Sequence, residues 1–139
     1  KLQVTTPCAS SWGNQGYNDV WLNGANDWIY RHLHQAGEQM IRLANFHLKP
    51  DPLVKRALNQ AARELLYAQS SDWAFIMKTG TVVEYAKRRT IQHLSRFNRL
   101  YEAITQSKID AFWLKELETE DNLFPELNYA VYREENPPK

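Results

Sequence analysis

The stretch NDWIYRHLHQAGEQMIRLANF, residues 26–46, decides the fold class of this chain. Its apolar residues recur at steps of three and four, a spacing that places them on one stripe of an α-helix. The members of the stripe are Ile29, Leu33, Ala36, Met40 and Leu43. Asn26 is of a residue type that precedes helices, so we expect it to be the N-cap. The pattern predicts a long amphipathic helix whose apolar side needs neighbouring elements to cover it.

A second helix is predicted to begin where Asp51 is followed by Pro52. Proline suits the first turn of a helix because its missing N–H would be unpaired there in any case. The helix is expected to run to about Gln69. Its predicted buried face consists of Leu53, Ala57, Leu58, Ala61, Leu65 and Ala68. The alanines favour close approach of another helix.

Three further helices follow from start and stop signals. Asp72 is expected to cap a short third helix, Trp73 to Thr79, which Gly80 closes. Thr81 and Glu84 have the spacing of a capping box, which predicts the start of the longest helix, to about residue 106. Asp110 is expected to begin a last short helix.

These elements predict an all-α fold, an irregular bundle of about four or five helices in a single domain. Residues 1–23 are expected to form an aromatic arm and loop, residues 24–120 the helical core, and residues 121–139 an extended C-terminal arm. Within that arm, residues 129–132 alternate enough for a short strand or a packed arm, and residues 134–139 are of a composition typical of disorder.

Length and charge exclude several classes of function. A chain of 139 residues is too short for a barrel enzyme of roughly 250 residues. It begins at Lys1 with no leader-like stretch, so we expect a piece of a longer protein. The formal charge of +1 gives no reason to expect nucleic acid or an anionic membrane as partner, and no run is apolar enough to span a bilayer. The single cysteine, Cys8, fits a reducing cytoplasm.

No self-contained catalytic or metal centre is visible in the sequence. His34 and Glu38 share a helix face, but neither the Glu-x-x-His pairs of di-iron bundles nor a His-Glu-x-x-His motif is present, so we expect no metal and no cofactor. Three glutamates are predicted at exposed helical positions: Glu64, Glu84 and Glu116. A basic run is predicted to form a solvated face: Lys87, Arg88, Arg89 and Arg96. Asn59 and Gln60 are expected to form hydrogen bonds between helices.

Aromatic residues in the N-terminal loop are the strongest functional signal from the residues themselves. Trp12 lies between a serine and a glycine, and Trp21 follows shortly after. Glycine-rich backbone of this kind can hold an indole open to a ligand, as sugar-binding clefts require. Three other tryptophans occupy helical positions and are expected to pack: Trp28, Trp73 and Trp113.

Seven blocks together closely resemble the C-terminal helical domain of bacterial 1,4-α-glucan branching enzymes of glycoside hydrolase family 57. They are SSWG at 10–13, WLN at 21–23, WIYRHLH at 28–34, RALNQAARELL at 56–66, QSSDWAFIMKTGT at 69–81, RFNRLY at 96–101 and DNLFP at 121–125. The resemblance covers nearly the whole chain.

The resemblance implies that catalysis and completion of the substrate cleft belong to different domains. In that family an upstream barrel carries the glutamate nucleophile and the aspartate acid of a retaining mechanism, and the helical domain completes the cleft for an α-1,4-glucan. It implies no catalytic residue in this chain, an inactive isolated chain, and a role in glycogen-type synthesis in the cytoplasm. Trp12 and Trp21 match cleft tryptophans, and Asp72 matches a sugar-contacting aspartate.

Alternatives stay open at this point. Trp12 and Trp21 are also compatible with packing in the core, and Asp72 with a purely structural capping role. The parent could equally be an α-amylase or a 4-α-glucanotransferase. From a different class, the chain could be a helical protein-interaction module without enzymatic function.

Overall fold

The prediction of an all-α fold is confirmed. A computed structural model describes residues 4–134, which contain five α-helices, three short 3-10 turns and no strand. The helices are α1 Asp27–Phe46, α2 Pro52–Ala68, α3 Ser71–Thr79, α4 Val83–Thr105 and α5 Ala111–Glu120. The 3-10 turns are Asn14–Gly16, Asn18–Val20 and Tyr129–Tyr132. The first residues of the predicted arm, 1–3, and most of the segment predicted to be disordered, 135–139, lie outside the described residues.

Two helix starts follow the predicted capping chemistry. Asp51 precedes α2, and its carboxylate accepts hydrogen bonds from the N–H groups of the second and third helix residues at 2.9 and 3.0 Å. Asp110 does the same for α5 at 3.0 and 3.1 Å. Each carboxylate satisfies backbone donors that the first turn leaves without partners, which fixes where the helix begins.

Two other predicted starts are wrong. The capping box of Thr81 and Glu84 does not form, because α4 begins at Val83 and Glu84 is then one position too early to reach back. Asp72 is not an N-cap either. Since α3 begins at Ser71, Asp72 lies inside the first turn, where its charge still favours the positive end of the helix.

The core is built around α2, which packs against α1, α4 and α5, while α3 packs against α4. The predicted stripe of α1 is buried along its whole length, and the alanines of α2 are completely inaccessible to solvent. Side chains that small allow helix axes to approach closely. Among the described helices, none has the length and apolar run needed to cross a membrane.

The C-terminal arm is packed, and the alternative of a strand is wrong. Tyr129–Tyr132 is a 3-10 turn, and the Tyr129 side chain is buried. Its hydroxyl donates a 2.6 Å hydrogen bond to the carbonyl of His47 at the end of α1. Arg133 donates to the carbonyls of Ala44 at 3.2 Å and His47 at 3.0 Å. The arm therefore supplies hydrogen-bond donors to carbonyls at the end of α1 that have no partner within the helix.

Candidate functional site

The two loop tryptophans meet the third helix. The rings of Trp12 and Phe75 have centroids 5.8 Å apart, and those of Trp21 and Phe75 are 5.9 Å apart, with tilted planes. Trp12 remains 81% exposed, whereas the other two rings are half-buried. With Asp72, which is exposed one turn before Phe75 on α3, these residues form what we call the aromatic corner.

The loop that carries Trp12 is closed by its own hydrogen bonds. The Ser11 hydroxyl donates to the Tyr17 carbonyl at 2.6 Å and accepts from the Gly13 N–H at 3.0 Å. A Cβ at Gly13 would lie 2.4 Å from the Tyr17 carbonyl oxygen, so only glycine fits this close approach. Gly16 has φ of +82°, a second position that favours glycine. The indole of Trp12 is thus held by a shaped loop and not by burial.

The structure decides between several alternatives raised by the sequence. Trp12 is exposed, so the core alternative is wrong for this residue. Trp21 does pack against the core while keeping part of its surface open. Asp72 contacts only the Ser70 hydroxyl, at 3.4 Å, among the described residues. The packing role is confirmed for Trp28, Trp73 and Trp113.

Phe75 is the site residue that sequence reasoning missed. It lies in a short helix that is apolar on most sides, so periodicity does not distinguish it from core residues. The available signal is its spacing of three residues from Asp72, which places both on one helix face.

A second group of polar side chains is buried between α2, α4 and the end of α5; we call it the buried ion cluster. His93 Nδ1 lies 2.7 Å from Glu64 Oε2 and 3.8 Å from Asp121 Oδ2. Arg96 donates to Asp121 and, at 2.5 Å, to Glu120. Glu64 and His93 are completely inaccessible to solvent. The predictions of an exposed Glu64 and a solvated Arg96 are therefore wrong, because Glu64 meets His93 of α4 and Arg96 meets Asp121 at the end of α5.

Gln60 completes this cluster from α2. Its amide donates to Glu64 Oε1 at 3.0 Å and to the Asp121 carbonyl at 3.1 Å. The predicted role of Gln60 as a hydrogen-bonding group between elements is confirmed. Asn59 has a similar role, since its side-chain oxygen accepts from the Tyr129 N–H at 3.0 Å.

The buried ion cluster does not suit a metal ion. Ligand atoms of Glu64, His93 and Asp121 lie within 4.8 Å of one another, which is close enough to share a cation. However, the Asp121 carboxylate already accepts a hydrogen bond from Arg96, and the Glu64 carboxylate already accepts one from the Gln60 amide. A guanidinium in contact with the carboxylates opposes a second positive charge. The arrangement is that of a structural ion network joining three helices.

Comparison with protein families matches residues 32–132 to the model described as 1,4-alpha-glucan branching enzyme, C-terminal. The chain belongs to this family. The match contains Asp72 and Phe75, while Trp12 and Trp21 precede it. The resemblance seen in the sequence is confirmed.

Relatives of this branching-enzyme C-terminal domain are much longer proteins. The chain is 35% identical over 143 residues to the 1,4-alpha-glucan branching enzyme TK1436 of Thermococcus kodakarensis, covering 100% of this chain and 21% of the relative. The chain thus spans about a fifth of the length of that curated relative.

Crystal structures give the same picture. TK1436 in complex with glucose and additives has a TM-score of 0.87 at 36% identity, covering 94% of this chain and 24% of that one. The branching enzyme of Pyrococcus horikoshii has a TM-score of 0.84 at 35% identity, and the match covers 94% of this chain and 26% of that one. The α-amylase AmyC of Thermotoga maritima has a TM-score of 0.80 at 47% identity, and the match covers 95% of this chain and 24% of that one.

The buried ion cluster of this branching-enzyme domain predicts an unusual dependence of stability on pH. Burial is the main cause that raises the pKa of Glu64 above 4.5, although its hydrogen bond with His93 acts in the opposite direction. A carboxyl with a raised folded-state pKa stabilises the fold most below its unfolded pKa, and that contribution is lost as pH rises through the folded value.

We therefore expect the wild type to lose stability relative to Glu64→Gln between about pH 4 and about pH 8, because the loss begins near the unfolded pKa of a glutamate and continues through the raised folded value. Urea unfolding of both proteins at the two pH values measures this difference. Glu116→Gln, at an exposed position of α5, serves as the control and should follow the wild type at both values. A wild type that gains stability relative to Glu64→Gln over this range would contradict the prediction.

Proposed function

We propose that this chain forms one wall of the glucan-binding cleft in an enzyme that builds α-1,6 branches from α-1,4-glucan. The observation that supports the proposal is the aromatic corner, where an indole that is 81% exposed lies beside a second aromatic ring and an exposed carboxylate. Exposed aromatic residues that form a contiguous patch mark ligand or partner sites, whereas single exposed apolar residues are ordinary.

The residue types of the aromatic corner suit a sugar. An indole face stacks on the apolar face of a glucose ring, and Trp12 and Trp21 bring two indoles to Phe75, at 5.8 and 5.9 Å between ring centroids. The carboxylate of Asp72 can accept hydrogen bonds from two hydroxyls of one sugar, which would fix the orientation of the ring. In this proposal all three residues bind substrate, and none is catalytic.

The reaction itself belongs to the partner in this proposal, a catalytic barrel upstream in the same polypeptide. A retaining mechanism needs two carboxyl groups on either side of the scissile bond, one as nucleophile and one as acid. The aromatic wall would hold the acceptor glucan and exclude water, so that the glucosyl intermediate is attacked by a 6-hydroxyl. The isolated chain is accordingly proposed to bind glucan without turning it over.

The proposed setting is glycogen-type polysaccharide synthesis in the cytoplasm. Cys8 is an exposed free thiol, which is compatible with a reducing compartment. Neither nucleic acid nor a membrane is part of the proposal.

A second candidate, an α-amylase, is favoured by one observation. The 47% identity to the α-amylase AmyC exceeds the 35% identity to the branching enzyme TK1436. Incubating the barrel-bearing polypeptide with linear amylose and counting α-1,6 links by proton NMR separates the two reactions. New α-1,6 signals support branching, whereas reducing ends without them support hydrolysis. Family membership argues against the protein-interaction module considered above.

Titration with maltoheptaose tests the glucan site on this chain. We expect chemical shifts to change at Trp12, Trp21 and Asp72, and Asp72→Asn to weaken affinity about fivefold, because a hydrogen bond to a charged group exposed to solvent contributes about 1 kcal/mol. Glu84→Gln changes another exposed carboxylate in the first turn of a helix and should leave affinity unchanged. No shift at millimolar sugar would contradict sugar binding by this domain.

A further inference from the structure

Asn26 is a buried residue whose side chain makes three hydrogen bonds at the base of the aromatic corner. It is completely inaccessible to solvent. The amide group donates to the carbonyls of Val20 at 3.0 Å and Ala74 at 3.1 Å, and the side-chain oxygen accepts from the Asn23 N–H at 2.8 Å. Two carbonyls on one side fix which end of the carboxamide points toward them.

The three partners lie on the two sides of the aromatic corner. Val20 and Asn23 flank Trp21 in the loop, while Ala74 directly precedes Phe75 in α3. Within residues 4–134, this side chain makes the only hydrogen bond between α3 and the chain that precedes α1. A short polar side chain of fixed length therefore sets how far the loop stands from the third helix.

Tyr30 holds the same loop from the next turn of α1. Its hydroxyl donates to the backbone carbonyl of Trp21 itself. Burial raises the pKa of Tyr30, so the phenol keeps the proton that it donates. Trp21 is thus held through its own carbonyl by Tyr30, and through its neighbours in the chain by Asn26.

We infer that Asn26 is a positioning residue for the proposed glucan site, which sets the spacing between the loop wall with Trp21 and the helix wall with Phe75 and Asp72. Because it is fully buried, it touches no sugar. Its action is to hold the two walls together, with the Trp21 and Phe75 rings in contact at 5.9 Å between centroids, so that a sugar meets them as one surface, and Tyr30 reinforces it. This inference rests on the proposed function.

The expected effect follows from preorganisation. A ligand that contacts two walls at once gains full affinity only when their spacing is fixed before binding, and ordering a released loop reduces that affinity. Asn26→Ala removes both amide donors and frees the loop from α3, so we expect affinity for maltoheptaose to fall about tenfold. Tyr30→Phe removes one bond and keeps the ring, and should lower affinity about threefold.

The test combines a structural readout with a binding readout on this chain. Nuclear Overhauser contacts between the Trp21 indole and the Phe75 ring report the spacing without any sugar. Maltoheptaose titration then reports affinity. Asn59→Ala is the matched control, because Asn59 is a half-buried asparagine that holds the C-terminal arm through one hydrogen bond. It should cost stability and leave both readouts at the wild-type level.

Weaker ring contacts together with lower affinity in Asn26→Ala, with both retained in Asn59→Ala, support the inference. Unchanged affinity in Asn26→Ala overturns it, whether or not the ring contacts change. If Asn26→Ala does not fold, Tyr30→Phe decides, and unchanged affinity there overturns the inference. A wild type that binds no maltoheptaose refutes the proposed function, and the ring contacts alone then decide whether Asn26 sets the spacing.

Discussion

Arg96→Ala is expected to lower the free energy of unfolding by about 3 kcal/mol, the low end of the range for breaking a buried ion pair. The guanidinium contacts Asp121, whose side chain is only 6% exposed, and also Glu120. Removing it leaves the Asp121 carboxylate in the buried ion cluster near Glu64, with Arg89, at 4.0 Å, as the remaining arginine within ion-pair distance of it. The low end applies because the Arg96 side chain keeps 18% exposure and is partly solvated.

Chemical denaturation of Arg96→Ala and Arg42→Ala compares the free energy of unfolding lost with a buried ion pair to that lost with an exposed one. Arg42 pairs with Glu38 at 3.6 Å, but the two side chains are 66% and 72% exposed. A surface pair of this kind contributes at most about 0.5 kcal/mol. Equal losses in the two variants would show that the buried ion cluster is not the stabilising unit described above.

Trp12→Ala should reduce kcat/KM of the barrel-bearing polypeptide about 30-fold while leaving the fold intact. An indole face that loses about 80 Å² of its surface to a sugar contributes about 2 kcal/mol, which corresponds to that factor. Because the side chain is 81% exposed in the free domain, little packing is lost with it. Thermal unfolding and transfer kinetics on the same preparation measure the two effects.

Phe46→Ala is the matched control for this prediction. Phe46 is 82% exposed, nearly the same as Trp12, and it lies at the opposite end of α1 from the aromatic corner. A helix of 20 residues is about 30 Å long, so a sugar bound at Trp12 does not reach it. A similar loss of kcat/KM in both variants would show that exposed aromatic area in general, and not the aromatic corner, is responsible.

Most of the fold could be predicted from the sequence because α1 is buried on one side only, so its stripe has a clear period. The same reasoning failed for Glu64. Its helix α2 contacts α1, α4 and α5, and Glu64, three residues after Ala61 and four before Ala68, lies on the buried face itself. Periodicity records which positions are apolar, but it does not record a polar position that is buried against a charged partner from another helix.

The candidate site was predictable only where its chemistry is local. Glycines around Trp12 indicated an exposed ring, and the ring is exposed. Asn26 was expected to cap α1, yet its side chain makes no cap hydrogen bond, because its oxygen accepts from the Asn23 N–H while its amide group donates to the Ala74 carbonyl, 48 residues further along the chain. Phe75 acquires its role from the same tertiary contact between loop and helix. Such long-range pairings leave no spacing in the sequence.

The C-terminal arm has a consequence for how the chain is made. Arg133 donates to the carbonyls of Ala44, His47 and Leu48, and its first partner lies 89 residues earlier in the chain. In a nascent polypeptide these carbonyls stay hydrated until the arm has been translated. The last turn of α1 is therefore completed by a segment translated 89 residues later, and a chain truncated before Arg133 would leave the carbonyls of Ala44, His47 and Leu48 without these donors.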